Sequence, residues 1–186
     1  MKILTGRLRG QRIGFDPGLR LRPTADKARK AIFDMLQGAF ERCRVLDLYS
    51  GTGALGFEAL SQGALAVTFV EEDPARCRKI AENLKRWDLQ AKAQVCEQDA
   101  MIWLEQNSTK KASYDFIFFD PPYSTDLADR TLSLISRGVV LQKDGFAVLE
   151  CPGKRCMPES CGALQAVRQK RYGQTQVLIY RMGGRD

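Results

Sequence analysis

Asp120-Pro121-Pro122-Tyr123 is the stretch of this chain with the plainest chemical use. It follows an apolar run, Tyr114 to Phe119, that reads as a buried strand. Two consecutive prolines fix φ and supply no N–H, so they hold a short rigid segment with its carbonyls in set directions. A carboxylate and an aromatic face carried on that segment can grip a flat ring that bears nitrogen. Three further acids, Asp47, Glu71 and Asp99, stand within or just after expected strands. Gly51-Thr52-Gly53-Ala54-Leu55-Gly56 has the G-x-G-x-x-G form of an adenosine-cofactor loop. Glu71 follows about twenty residues later, where an acid can bind ribose hydroxyls.

Asp47 separates two classes of cofactor. A pyrophosphate, as in NAD, is repelled by an acid just ahead of Gly51. S-adenosylmethionine carries an ammonium and a sulfonium and no phosphate, so it welcomes the carboxylate. The structural alternative for Asp47 is an acid that bonds backbone N–H groups at a strand end. Asp99 can accept from the exocyclic amine of adenine, cap the helix that starts at Ala100, or do both. Ser50, Gly51, Gly53, Ala100 and Asp120 complete the expected cofactor contacts. The chain has no histidine. That excludes Ser-His-Asp and Cys-His catalysis and removes the commonest metal ligand.

The elements that must position these residues alternate. The first stretch, residues 1–22, carries Lys2, Arg7, Arg9, Arg12, Arg20 and Arg22 against one acid, Asp16. Ile3-Leu4 and Arg12 to Phe15 read as short strands of a hairpin or loose β-arm with a basic face. Such an arm suits nucleic-acid contact or blunts an exposed sheet edge. Thr24 is placed to cap a helix whose apolar face is Ala28, Ala31, Ile32, Met35 and Leu36. Strands are then expected at 45–48, 66–70, 93–96, 114–119 and 145–150. Helices are expected at 51–62, 74–87, 100–104 and 127–136. Residues 163–172 and 174–182 read as a final pair of strands joined at Gly173. Alternation of this kind implies a Rossmann-like α/β fold: a mostly parallel seven-stranded sheet, helices on both faces and an antiparallel C-terminal strand. The arm and residues 23–186 are expected to form one domain.

With 186 residues the chain is long enough for a real core. The net charge of +7 suits a polyanionic partner. No apolar run approaches the roughly 18 residues of a membrane span, and no hydrophobic signal core opens the chain. The six cysteines show no disulfide spacing, which points to the cytoplasm. Cys151-x4-Cys156-x4-Cys161 lacks the short spacing of zinc knuckles, and a metal is not expected. Trp87 and Trp103 read as helix-face packing.

Taken in order, VLDLYSGTGALG, VEED, QDA and DPPY resemble the class I S-adenosylmethionine-dependent methyltransferases. Asp-Pro-Pro-aromatic is that superfamily's signature for methylation of an exocyclic or amide nitrogen. ILTGRLRGQRI, LRPTADKARKAIFDML and LDLYSGTGALGFEALSQGA narrow the resemblance to the bacterial 16S ribosomal RNA guanine-N2 methyltransferases of the RsmD family. The match runs from Ile3 to about Glu150. Tyr123 departs from the Phe common at that position and keeps a stacking face. The resemblance implies S-adenosylmethionine as cofactor and a guanine of 16S ribosomal RNA, within the small subunit or its assembly intermediate, as substrate. It also implies that Arg22-Pro23-Thr24 closes over the cofactor. A monomer suffices for this work. Arg7, Arg9, Arg12, Arg20 and Arg22 are the expected RNA contacts.

Guanine N2 is a poor nucleophile because its lone pair is delocalised into the ring. Acceptors on its N–H groups, Asp120 Oδ and the Pro121 carbonyl, localise that pair. Tyr123 stacking is worth roughly 1–3 kcal/mol. Holding methyl and amine in attack geometry supplies roughly 7–11 kcal/mol. The proton leaves after transfer, when the nitrogen is cationic, so Asp120 is an aligning acceptor and no base is needed. The same residues leave three rivals open. They are an adenine-N6 or cytosine-N4 DNA methyltransferase, an NAD-binding oxidoreductase, and a non-catalytic RNA-binding or ribosome-assembly module.

Overall fold

The computed structural model describes residues 1–14, 23–108, 114–122, 126–138 and 140–184. Its parallel strands are β1 (Arg44–Leu48), β2 (Ala66–Glu71), β3 (Ala93–Glu97), β4 (Tyr114–Phe119) and β5 (Leu141–Pro152). Three antiparallel strands follow: β6 (Ser160–Cys161), β7 (Leu164–Tyr172) and β8 (Thr175–Met182). The helices are α1 (Pro23–Met35), α2 (Ala54–Ser61), α3 (Pro74–Arg86), α4 (Ala100–Asn107) and α5 (Leu127–Arg137). All the strands join one sheet in the order β3-β2-β1-β4-β5-β8-β7-β6.

Both faces of the sheet are covered, which explains why β4 is apolar at nearly every position. Phe116 and Phe118 face a core with Phe33, Phe40, Phe57 and Phe69, under α1 and α2. Ile117 and Phe119 face the opposite core with Leu132, Ile135, Leu178 and Tyr180, under α5. Phe40 sits at ring distances of 4.8 Å from Phe33 and 4.6 Å from Phe116, within the range of favourable tilted pairs. Asp73 caps α3 through bonds from the Ala75 and Arg76 N–H groups, with Pro74 in its first turn.

The expected α/β architecture is present, with four corrections. The sheet has eight strands, because the short β6 pairs through Ser160 with Gln165 and Cys161 with Leu164. No sequence signal marks so short a strand. β5 starts at Leu141 rather than Gly145, since Leu141 pairs with Tyr114 ahead of a register shift. α1 already includes Pro23, so Thr24 lies inside its first turn and does not cap it. The turn from 49 to 53 keeps the next helix from starting before Ala54.

The N-terminal arm is also not loose. Lys2 and Arg12 form one antiparallel bridge, and Ile3 and Ile13 are buried. The turn between them is fastened to the end of α2: the Arg7 N–H donates to Ser61 O (2.8 Å) and the Leu8 N–H to Ser61 Oγ (2.9 Å). Gly6 is required there, because a Cβ would lie 2.1 Å from Ser61 O. The wholly buried Glu58 accepts from the Leu4 N–H at 2.7 Å and from the Thr5 hydroxyl at 3.1 Å. Arg29 of α1 stands 3.4 Å from the same carboxylate, close enough for charge attraction although its Nε–H makes no hydrogen bond. Asn83 of α3 holds the other limb by donating to Gly14 O and accepting from the Gly14 N–H. Phe15 lies outside the described residues.

Candidate active site

In this strand order the chain leaves β1 toward β2 on one side, while β4 enters on the other. That makes the carboxyl ends of β1 and β4 the switch point where open α/β sheets bind ligands. The glycine loop and Asp120-Pro121-Pro122 both begin there, since Leu48 pairs with Phe119.

The loop reverses direction through three left-handed residues, Tyr49 (φ 55), Gly51 (φ 56) and Gly53 (φ 75). Three of its glycine N–H groups are engaged within the protein. The Gly51 N–H donates to Glu71 Oε2 at 2.7 Å, the Gly53 N–H to Ser50 O at 2.7 Å and the Gly56 N–H to Asp47 Oδ2 at 2.9 Å. Ser50 ties the loop to both strands, its hydroxyl lying 2.6 Å from Asp47 O and 3.1 Å from Val70 O. Gly56 allows α2 to lie close against β2. A Cβ there would fall 2.2 Å from Phe69 Cε1 and 3.0 Å from Asp47 Oδ2.

Three acids converge around this loop. Asp47 is 2 % exposed. Burial pushes its carboxyl up to about 8; the Gly56 N–H opposes the rise, and the charges of Glu71 and Asp120 add to it. Glu71 is likewise buried, and its Oε1 accepts from the Asp73 N–H (3.1 Å) and faces Arg76 Nη1 (3.3 Å). A site of this kind repels phosphate twice over. Its negative charge opposes it, and the Gly51, Gly53 and Gly56 amides are bonded to two carboxylates and a carbonyl rather than turned to a phosphate. It favours a ligand with positive charge, which draws Asp47 into its ionised form.

Asp47, Ser50, Gly51, Gly53, Glu71 and Asp120 are thus brought to one place. Asp99 and Ala100 lie at the start of α4, and the charge of Asp99 reaches the Tyr49 hydroxyl. Asp99 does cap α4, accepting from the Ile102 N–H at 2.9 Å. Asp120 and Pro122 are exposed and Pro121 is buried. Tyr123, Arg20 and Arg22 lie outside the described residues. Arg7, Arg9 and Arg12 are exposed on the N-terminal hairpin. The turn bearing Arg7 and Arg9 is fastened at the far end of α2, about 12 Å of helix away from the glycine loop. A cleft of about 500 Å3 lined by Thr5, Phe33, Asp34, Gln37 and Gln62 opens beside that hairpin, away from the converging acids. Among the described residues no group of three or more His, Cys, Asp and Glu side chains is placed to hold a metal. Trp87 packs edge-on against Phe57, and Trp103 is buried in the core under α4.

Two residues near the site escaped the sequence. The Tyr49 hydroxyl shares a 2.8 Å hydrogen bond with Thr131 Oγ1, which links the glycine loop to α5. An aromatic residue in left-handed backbone is disfavoured, so no pattern in the sequence marks it. Thr131 is wholly buried on a helix face that reads as ordinary packing.

The chain matches the family described as conserved hypothetical protein 95 over residues 1–181. The "Putative rRNA methyltransferase YlbH" of Bacillus subtilis is 36% identical over 99% of this chain and 100% of its own length. The "Ribosomal RNA small subunit methyltransferase D" of Escherichia coli is 30% identical over 97% of this chain and 89% of its own. Among solved structures, the "Putative methyltransferase yhhF" of Escherichia coli superposes with a TM-score of 0.89 at 28% identity, covering 100% of this chain and 99% of that one. A family match over nearly the whole chain and a full-length relative at 36% identity agree with the motifs that converge on the switch point, and the chain belongs to the family described as conserved hypothetical protein 95, that of the ribosomal RNA small subunit methyltransferase D proteins.

Proposed function

We propose that this protein methylates the exocyclic N2 amine of a guanine in 16S ribosomal RNA, using S-adenosylmethionine, in the cytoplasm and as a monomer. The observation that carries the proposal is the glycine loop whose donors are engaged by Asp47 and Glu71 in the company of Asp120. That arrangement fits a cationic adenosine cofactor and disfavours NAD. S-adenosylmethionine supplies a methyl group made electrophilic by its sulfonium.

In this proposal Asp47, Ser50, Gly51 and Gly53 hold the charged amino-acid portion of the cofactor. Glu71 takes the ribose hydroxyls, and Asp99 and Ala100 take the adenine. Asp120 and the Pro121 carbonyl accept from the two N–H groups of the guanine amine and localise its lone pair. Pro122 keeps that segment rigid, and Tyr123 stacks on the base. Substrate RNA in a small subunit or its assembly intermediate is supported by the small-subunit name of the Escherichia coli relative. A base edge becomes reachable only when the nucleotide is unstacked or lies in a loop. The N-terminal hairpin and Arg20 and Arg22 serve as RNA-backbone contacts in the same domain. Arg7 and Arg9 would touch RNA well away from the reacting amine.

Calorimetry with S-adenosylmethionine and with NAD tests the cofactor; binding of NAD alone refutes it. Methyl transfer to ribosomal RNA and small subunits, assayed beside duplex DNA, tests the substrate. Nucleoside mass mapping then identifies the product. N2-methylguanosine is expected. Methylation of DNA only, or of another base, overturns the assignment.

A further inference from the structure

We propose that the C-terminal strand pair carries a second RNA-binding surface, a phosphate-gripping rim built from Lys154, Lys170 and Arg171 on the flank of the Asp120 loop. It rests on the RNA-methyltransferase reading and extends it to how the RNA backbone is held beside the target base.

The register places this rim. Phe119 pairs with Leu149, so the row one residue further runs from Asp120 through Glu150 and Val177 to Lys170. Three inter-strand steps therefore separate Asp120 from Lys170, about 14 Å across the sheet. A stacked strand covers that distance in roughly four nucleotides, at about 3.4 Å each. The next row, Cys151-Gln176-Arg171, reaches the same end of the sheet. In that row Gln176 also donates to the Cys151 thiol at 3.4 Å, which ties β8 to β5 beside the Asp120 loop.

The turn after β5 is built to carry cations. Gln176 donates to Pro152 O and to Arg155 O, and the Gly153 N–H donates to Gln174 O at 2.8 Å. These bonds clamp residues 152–155 against the start of β8. The Arg171 side chain lies across the turn, and a Cβ on Gly153 would stand 2.7 Å from its Nε. Any side chain at Gly153 would push the Arg171 guanidinium off the turn. Arg155 is committed to Asp129 of α5. Lys154, Lys170 and Arg171 are exposed, and among the described residues none of them pairs with a carboxylate. Beyond the short contact with β6 and the bond from the Ala166 N–H to Glu159 O, residues 167–172 on this edge of β7 have no strand partner besides β8 among the described residues. Cations on such an edge also prevent sheet-to-sheet association, so the test must separate that role from RNA binding.

The test is the triple variant Lys154→Gln/Lys170→Gln/Arg171→Gln of the full chain, assayed with small-subunit ribosomal RNA and with assembled subunits across a salt series. The log-log dependence of affinity on salt should become shallower by about 2, from roughly 0.7 per lost phosphate contact on single strands. The KM for RNA should rise tenfold or more at moderate salt, while kcat at saturating RNA and affinity for S-adenosylmethionine hold. The single variant Lys170→Gln should show about a third of the change in slope. Normal methylation with an unchanged KM and salt slope overturns the rim and leaves only edge protection. A salt slope that responds to Arg7→Gln/Arg9→Gln but not to the triple variant overturns it too. Wild-type protein that fails to methylate ribosomal RNA sinks the proposed function itself, an outcome distinct from a failed rim.

Discussion

Replacing Asp47 with Asn should give a protein that is more stable at neutral pH and inactive. The carboxyl of Asp47 has its midpoint raised from 3.8 to about 8, chiefly by burial. Between those values the unfolded chain has lost this proton while the folded chain keeps it. Native protein then binds more protons, so stability falls as pH rises from about 4 to about 8 and levels off above that. Each pH step is worth about 1.4 kcal/mol, which makes the loss on the order of 4 kcal/mol at pH 7. Asn keeps an oxygen for the Gly56 N–H and has no charge to bury, so this component of the slope vanishes. Urea unfolding of both proteins at pH 5, 7 and 9 measures it. The Asn variant should gain on wild type by a few kcal/mol between pH 5 and pH 9, with equal m-values. Calorimetry should show its affinity for S-adenosylmethionine reduced at least a hundredfold. Wild type should release a proton on binding the cofactor at pH 7, read from the buffer dependence of the heat. Parallel stability profiles, or undiminished cofactor affinity, would refute the placement of charge at the heart of the site.

Gly56→Ala should lower stability by about 1–3 kcal/mol or more and depress the thermal midpoint, because the new methyl group meets Phe69 and Asp47 at distances no core tolerates. Glu58→Ala removes the acceptor of Leu4 and Thr5 and leaves the buried Arg29 with the exposed Asp26 as its ionic partner. A loss of about 1–3 kcal/mol is expected from the buried donors left without an acceptor, with faster amide exchange at Leu4 as the local signature. Asp120→Ala should abolish methyl transfer while RNA binding stays within about threefold; turnover at the wild-type rate would exclude Asp120 from the site.

Motifs tied to a strand end were legible in the sequence because one local pattern fixed both element and chemistry. Val45 to Leu48 followed by glycines could only be a buried strand entering a turn, and Tyr114 to Phe119 ended as abruptly at its prolines. β6 was not legible, since two residues carry no periodicity and their pairing depends on β7. The N-terminal hairpin looked loose for a related reason. Its acceptors, Glu58, Ser61 and Asn83, lie far along the chain, and nothing in the first fourteen residues points to them. Within the site, the sequence named Glu71 as a ligand for ribose but not as the acceptor of the Gly51 N–H. That second role appears only when β1 and β2 stand side by side. The left-handed turn at Tyr49 was hidden because it is imposed by the loop against the intrinsic preference of the residue.

The fastening of the N-terminal hairpin has a consequence for how the chain is made. Leu4 finds its partner 54 residues downstream and Gly14 finds its partner 69 residues downstream. During synthesis this segment therefore waits, with Ile3 and Ile13 uncovered, until α2 and α3 have appeared. Lys2, Arg7, Arg9 and Arg12 keep that waiting segment soluble and apart from its copies. The basic side chains of this segment thus serve folding as well as any RNA contact, and its docking needs only β1, β2 and the helices that follow them.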